Sequence, residues 1–211
     1  FAENRKGGKM SYITAVTASG DRAGFVSGGS TVKDVISGLG ASSCIGAQLI
    51  MGGDNAGMLQ VQYRTDTAEQ AMTCSEGAIA NSDIQAYMQS WNAQIQRRSL
   101  LRLNGERGSM AGTYGIGSLI SGGPVGDDAI QASLDNAWGV VSDSVNGIGF
   151  ATSVAAGASA SVAPYYAFVW GDDLDAMIDA MGRNLADSKT QQFMSNSGIT
   201  PLGRIIGKTL F

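Results

Sequence analysis

The chain contains no histidine, and the chemistry that depends on imidazole is excluded with it. Ser-His-Asp and Cys-His nucleophile pairs, His-ligated haem and His-bearing zinc sites all need that side chain. Cysteine is nearly absent too. Cys44 and Cys74 are too few for a disulfide framework or a Cys₄ site, and they read as reduced thiols of a cytoplasmic protein. The net charge of −4 offers no basic face for nucleic acid. No apolar run reaches the roughly 18 residues of a membrane helix, and no apolar segment near the start reads as a secretory signal. The expectation is a cytoplasmic protein with neither a nucleic-acid nor a membrane partner.

What the chain has in excess is glycine, 30 of 211 residues, about twice the usual share of roughly 7%. Its length allows one large domain or two small ones, with enough chain to bury a core. Phe1–Lys9 (FAENRKGGK) is polar and unlike the rest of the chain, and the first methionine is Met10. Lys-Gly-Gly-Lys before a methionine is what a purine-rich ribosome-binding site encodes when read in frame. Residues 1–9 therefore read as a leader outside the domain, with a native extension as the alternative.

The rest of the chain repeats itself. Ile45-Gly46-Ala47 lies beside Ile148-Gly149-Phe150 at an offset of 103, and Tyr63 then falls on Tyr166. Near the start, Ser11-Tyr12-Ile13 faces Thr113-Tyr114-Gly115 at an offset of 102. Two residues inserted later in the second copy bring Ala71-Met72 onto Ala176-Met177, and one more brings Ser82 onto Ser188. The reading is a tandem duplication, residues 10–105 and 106–211, divided in the polar stretch Asn104–Gly108.

Each copy carries the same order of signals. Ser11–Ala18 and Thr113–Ile120 read as strands. Thr31–Leu39 and Asp127–Val141 have helical spacing, with Ile130, Leu134, Ala137, Trp138 and Val141 on one face. Cys44–Met51 and Ile148–Ala155 are strands, followed by turns and by return strands Met58–Arg64 and Ser161–Val169. A second helix starts near Asp66, with Glu69 three residues on, and near Asp172. In the latter, Leu174, Met177, Ile178 and Met181 form a core-facing stripe. Short helices Ser82–Gln89 and Ser188–Met194 lead into final strands Arg98–Leu103 and Arg204–Leu210.

The order β-α-β-β-α-β is that of the ferredoxin-like split βαβ unit, a four-stranded antiparallel sheet with its helices on one face. Two copies can cover each other's open sheet. On this element order and duplication, the chain resembles the dimeric α/β-barrel superfamily, including its cofactor-free antibiotic-biosynthesis monooxygenase-like members. The resemblance implies an α+β barrel of two tandem ferredoxin-like units with a small organic molecule held inside and no cofactor. It implies cofactor-free oxygenation, isomerisation or lyase chemistry, and no catalytic motif of a named branch is matched. A non-enzymatic ligand carrier, or a module that oligomerises through sheet edges or helices, is the competing class.

Strand alternation then picks a candidate site. Gln60, Gln62 and Arg64 alternate with Leu59, Val61 and Tyr63, so packing of the apolar set beneath the helices turns the polar trio into the barrel. Gln48 and Thr152 are placed near them on the preceding strands, and Tyr165 supplies an aromatic from the second copy. Arg64 would anchor an anionic group; alternatively the trio faces solvent or forms a self-satisfied network. Arg98, Arg102, Arg204 and Lys208 recur on the final strands as a further carboxylate-binding possibility, beside a plain reading as surface charges. The recurrent Tyr12 and Tyr114 read as packing. Gly198–Arg204 has P-loop glycine spacing without its Lys-Ser/Thr, and Asp172, Asp173, Asp175 and Asp179 read as helix-start carboxylates.

Overall fold

The computed structural model describes residues 11–156 and 163–211. Residues 1–9, read above as a leader, lie outside the described residues, as do the first positions of the expected return strand at Ser161. The first unit runs β1 (Ser11–Ser19), α1 (Arg22–Ser27), α2 (Gly29–Gly38), β2 (Ser43–Met51), β3 (Leu59–Thr65), α3 (Ala68–Ala80), α4 (Ser82–Ser90) and β4 (Gln94–Gly108). The second runs β5 (Tyr114–Ser121), α5 (Asp127–Val141), β6 (Gly147–Ala155), β7 (Tyr165–Gly171), α6 (Leu174–Ala186), α7 (Ser188–Asn196) and β8 (Thr200–Thr209).

Each unit has the ferredoxin-like strand order, β4-β1-β3-β2 and β8-β5-β7-β6, and every pairing is antiparallel. The units join edge to edge. β2 pairs with β8 and β4 with β6, which closes an eight-stranded barrel. Closure uses up the free edges, so the expected association through sheet edges finds no open edge among the described strands. The polar stretch Asn104–Gly108, expected to divide the copies, continues β4 along β6.

Alternation on the strands sends one face to the helices and the other to the barrel axis. Beneath α1–α4, Phe25, Val32, Ile36, Leu59, Tyr63 and Trp91 form one core. Beneath α5–α7, Ile116, Ile130, Leu134, Ile148 and Met177 form its counterpart. A small third cluster, Ile13, Leu101, Leu103 and Ala151, lies inside the barrel with Tyr166 and Phe168 against it. On α6 the stripe is Met177, Ala180 and Met181, whereas Ile178 is exposed.

Helix starts depart from expectation by one residue. Thr67, not Asp66, caps α3 by accepting from Gln70 N at 3.1 Å, and Gln70 Oε1 accepts from Asp66 N at 3.0 Å. Asp173 caps α6. Asp172 instead accepts from Thr113 N, Thr113 Oγ1 and Asn146 Nδ2, each at 2.8 Å, and so ties the start of β5 to the loop before β6. Helix α1, not expected from the sequence, is capped by Asp21, which accepts from Gly24 N at 2.7 Å.

Candidate functional site

The barrel interior contains a cavity of about 100 Å³ whose two walls are chemically unlike. β1 is the centre of the first. Thr17 lies between Gln60 and Arg97, and Ala15 lies between Gln62 and Ser99, in the β3-β1-β4 register. All six share the inward face, and small Ala15 and Thr17 leave the longer polar side chains room to converge. Gln62 Nε2 donates to Gln60 Oε1, and Gln60 Nε2 donates to Thr17 Oγ1 at 2.9 Å. Gln60 and Ser99 are buried, Gln62 and Arg97 half-buried. Arg97 Nη2 reaches Asn55 Oδ1, in the short helical turn Gly53–Asn55 between β2 and β3, at 3.3 Å.

The opposite wall comes from the equivalent positions of the second unit. Gly117, Leu119 and Gly115 of β5 pair with Phe168, Tyr166 and Trp170 of β7. The Tyr166 and Phe168 rings stack at 6.2 Å with planes 10° apart, and Phe168 meets Trp170 at 5.3 Å. The glycines leave the space beside these rings open. A Cβ on Gly115 would stand 3.3 Å from Trp170 Nε1, and one on Gly117 would stand 3.8 Å from Phe168. Ile205 and Gly207 of β8 complete this apolar side. Where one unit has glutamine, serine and arginine, the other has aromatic rings, isoleucine and glycine.

The residues picked from the sequence divide between barrel interior, barrel end and helix layer. Gln60 and Gln62 line the cavity. Arg64 points inward but lies at the end of the barrel, where it is already satisfied. Its Nη1 and Nη2 donate to the two oxygens of Glu106, both at 2.8 Å, and its Nε donates to Ser11 Oγ at 2.9 Å. Gln48 faces outward and accepts from Arg22 Nε at 3.0 Å. Thr152 also faces outward, donating to Asn104 Oδ1 at 2.8 Å. Tyr165 packs against Phe150 under the helices, its hydroxyl donating to Gly123 O at 2.8 Å and accepting from Val125 N at 3.1 Å. Parity excludes these three from the cavity. The ring expected at Tyr165 is supplied by Tyr166.

Arg98, Arg102, Arg204 and Lys208 are on the outward face of their strands. Arg102 pairs with Asp127 of α5, and Lys208 lies over the Tyr114 ring at 6.0 Å. The inward arginine of β4 is Arg97, one residue before Arg98. Its alternation with Ser99 and Leu101 was the signal that could have found it.

Among the described residues, the groups with displaced pKa lie outside the cavity. Burial pushes the Cys44 thiol up to about 12 and raises Tyr87 and Tyr63. The hydrogen bond from Asn104, followed by Arg102, holds Asp127 below the usual carboxylate range. No cluster of metal-ligating side chains occurs among the described residues, and no described helix is long and apolar enough to cross a membrane.

Neither a protein-family model nor a curated protein sequence matches the chain. Solved structures do resemble it. A mutant chlorite dismutase from Candidatus Nitrospira defluvii, in complex with cyanide, aligns with TM-score 0.59 at 10% identity, covering 94% of this chain and 90% of that one. An anthrone oxidase-like protein aligns with TM-score 0.53 at 9% identity over 95% and 91%. A heme-binding protein from Thermus thermophilus aligns with TM-score 0.53 at 10% identity over 94% and 90%. At such identities the likeness is one of fold. The chain has the dimeric α/β-barrel fold of the chlorite dismutase-like and antibiotic-biosynthesis monooxygenase-like proteins, with both ferredoxin-like units in one polypeptide.

Proposed function

We propose that this chain is a small-molecule-binding barrel whose ligand enters the interior with its polar end toward β3, β1 and β4 and its apolar body against β7. The observation that carries this reading is the divergence of the two walls. A duplicated barrel needing only a packed core has no use for Gln60, Gln62, Ser99 and Arg97 converging from one copy on glycines and rings of the other. Largely apolar linings with a few convergent polar groups are the usual make-up of small-molecule sites.

The lining supports binding and orientation more than acid-base work. Among the described residues it contains no carboxylate, thiol or imidazole, and its hydroxyl and amide groups are poor proton acceptors at neutral pH. A reaction in this cavity, of the cofactor-free kind implied by the fold resemblance, would depend on the ligand's own reactivity in a fixed orientation. Haem, for which one structural neighbour is named, does not fit these residues. Among the described residues the lining of the cavity carries no histidine, cysteine or methionine; Tyr166, the one side chain there of a haem-ligating type, is stacked on Phe168, and both cysteines are buried beneath the helices of the first unit. Its volume is also below the roughly 300 Å³ at which pockets for drug-sized ligands begin.

Filling the cavity tests the reading. Gly117→Leu would place its side chain in the space beside Phe168. An uncharged one-ring compound such as phenol should raise the thermal midpoint of the natural chain and not that of the filled variant. A ligand at a hundred times its Kd contributes about 2.7 kcal/mol. Equal shifts in both proteins, or none in either, would dismiss the interior as a ligand site.

A further inference from the structure

The geometry points to a small planar monoanion, an aromatic carboxylate of about one ring, as the ligand of the barrel interior, with Arg97 selecting its charge. This rests on the reading of the interior as a binding site and deepens it. Arg97 differs from Arg64 of β3 and from Arg102 and Arg107 of its own strand, and also from Arg98, which has no carboxylate partner among the described residues but is exposed on the outward face. Arg64 grips Glu106, Arg102 pairs with Asp127, and Arg107 pairs with Asp135. Among the described residues Arg97 has no carboxylate partner, and its one side-chain hydrogen bond is the 3.3 Å bond from Nη2 to Asn55. Its Nε and Nη1 are left for an acceptor, in the planar fork that matches a carboxylate.

The surroundings are rich in donors. Gln60 Oε1 and Thr17 Oγ1 are already used as acceptors within the wall. What remains is the second amide hydrogen of each glutamine, the Ser99 hydroxyl and the Arg97 guanidinium, with Gln62 Oε1 as the amide acceptor left over. A carboxylate accepts only, so it can meet these donors without leaving a donor of its own unpaired. Its flat body matches the nearly parallel Tyr166 and Phe168 rings, 10° apart. Size sets the limit. At about 100 Å³ the cavity is smaller than the roughly 150 Å³ that encloses a whole benzene, so it takes at most one ring, seated in part, with the charged end outside it at half-buried Arg97. Sulfate or phosphate would leave the ring wall unfilled, and a two-ring acid would not enter.

The whole chain can be titrated calorimetrically with benzoate, its uncharged isostere benzamide, and 2-naphthoate, using the natural protein and Arg97→Met. Benzoate should bind at least tenfold tighter than benzamide, and 2-naphthoate should bind at least tenfold more weakly than benzoate. Arg97→Met should abolish the preference for benzoate while leaving benzamide affinity within about twofold. Raising the salt to 0.5 M should weaken benzoate and not benzamide. That arm needs no variant, and it decides the matter alone if Arg97→Met does not fold. Equal binding of benzoate and benzamide, a preference that survives Arg97→Met, or a benzoate affinity indifferent to salt would overturn the anion assignment while the interior remained a site. Tight binding of 2-naphthoate would overturn the size limit. Binding of none of the three would remove the site and this proposal together.

Discussion

Arg64 is the residue whose expected part the structure changes most, and the change can be measured. An arginine that anchors a ligand should cost binding and little stability when shortened. Arg64 instead holds Glu106 through two bonds of 2.8 Å and Ser11 through a third of 2.9 Å, at the end of the barrel. The two side chains are 27% and 33% exposed. That places the pair between exposed ion pairs, worth about 0.2–1 kcal/mol, and buried ones, whose disruption costs about 3–5 kcal/mol by stranding a charge. Screening by the remaining solvent contact brings the figure to about 1–2 kcal/mol. For a chain of this size that is a fall of roughly 2–8 °C in the thermal midpoint. Urea unfolding of Arg64→Met, Glu106→Gln and the double variant closes a double-mutant cycle. The two single changes should each destabilise, and the double variant should lose less than their sum. Benzoate affinity should be unchanged in Arg64→Met. A coupling energy within about 0.3 kcal/mol of zero, the scatter expected for independent sites, would refute the pair as a structural clamp. Loss of ligand binding in a stable Arg64→Met would return Arg64 to the site.

Gly46→Ala should destabilise by about 1–3 kcal/mol in urea, as overpacked cores do, because the added Cβ would stand 2.2 Å from the Phe211 ring. Tyr165→Phe should also cost about 1–3 kcal/mol by stranding the Val125 N–H without altering ligand affinity, whereas Tyr166→Phe should stay within about 0.5 kcal/mol of the natural chain. Hydrogen bonds from Asn146 and Thr113 lower the pKa of Asp172 in the fold, so its contribution is present above the ordinary aspartate range and is lost as pH falls through the depressed value. An acid titration of stability should therefore lose part of its slope in Asp172→Asn, and an unchanged slope would contradict that linkage. With the Cys44 thiol pushed up to about 12 by burial, its reaction with a disulfide reagent at pH 8 should follow global unfolding; a fast phase in the native protein would count against this.

The architecture was legible because each copy presents the same order of strong local signals. Asp127–Val141 repeats apolar residues at helical spacing, and α5 has those bounds. Cys44–Met51 and Ile148–Ala155 are short runs bounded by turn residues, and β2 and β6 begin one residue before each. Helix α1 was hidden because Gly24, Ser27 and Gly28 weaken its propensity. Its place is set by tertiary contact, with Phe25 packed edge-on against Trp91 at 5.3 Å. The extension of β4 through Asn104–Gly108 was hidden for a related reason. Polar and glycine residues look like a linker until the other unit's β6 pairs with them, and that pairing has no signature within either copy.

The site was half legible because a barrel interior depends on parity, and parity depends on register. On β3 alone the alternation was unambiguous, since Leu59 and Tyr63 are apolar and Gln60 and Gln62 are not. Transfer to the second copy required knowing where the repeat gains its extra residues. Pairing Tyr63 with Tyr166 places the insertion after the return strands. The ladders place it before them, because the offset is 104 between Cys44 and Ile148 but 106 between Tyr63 and Val169. A register wrong by three residues reverses every side chain on β7. It exchanges Tyr166, Phe168 and Trp170 for Tyr165 and two alanines, and an aromatic wall becomes a nearly featureless one. On β4 a similar slip favoured Arg98 over Arg97. The Tyr-Tyr and Arg-Arg doublets at 165–166 and 97–98 offer the same residue type to both faces, so composition could not choose between them. The strand ladders choose, and they put Tyr166 and Arg97 in the same cavity.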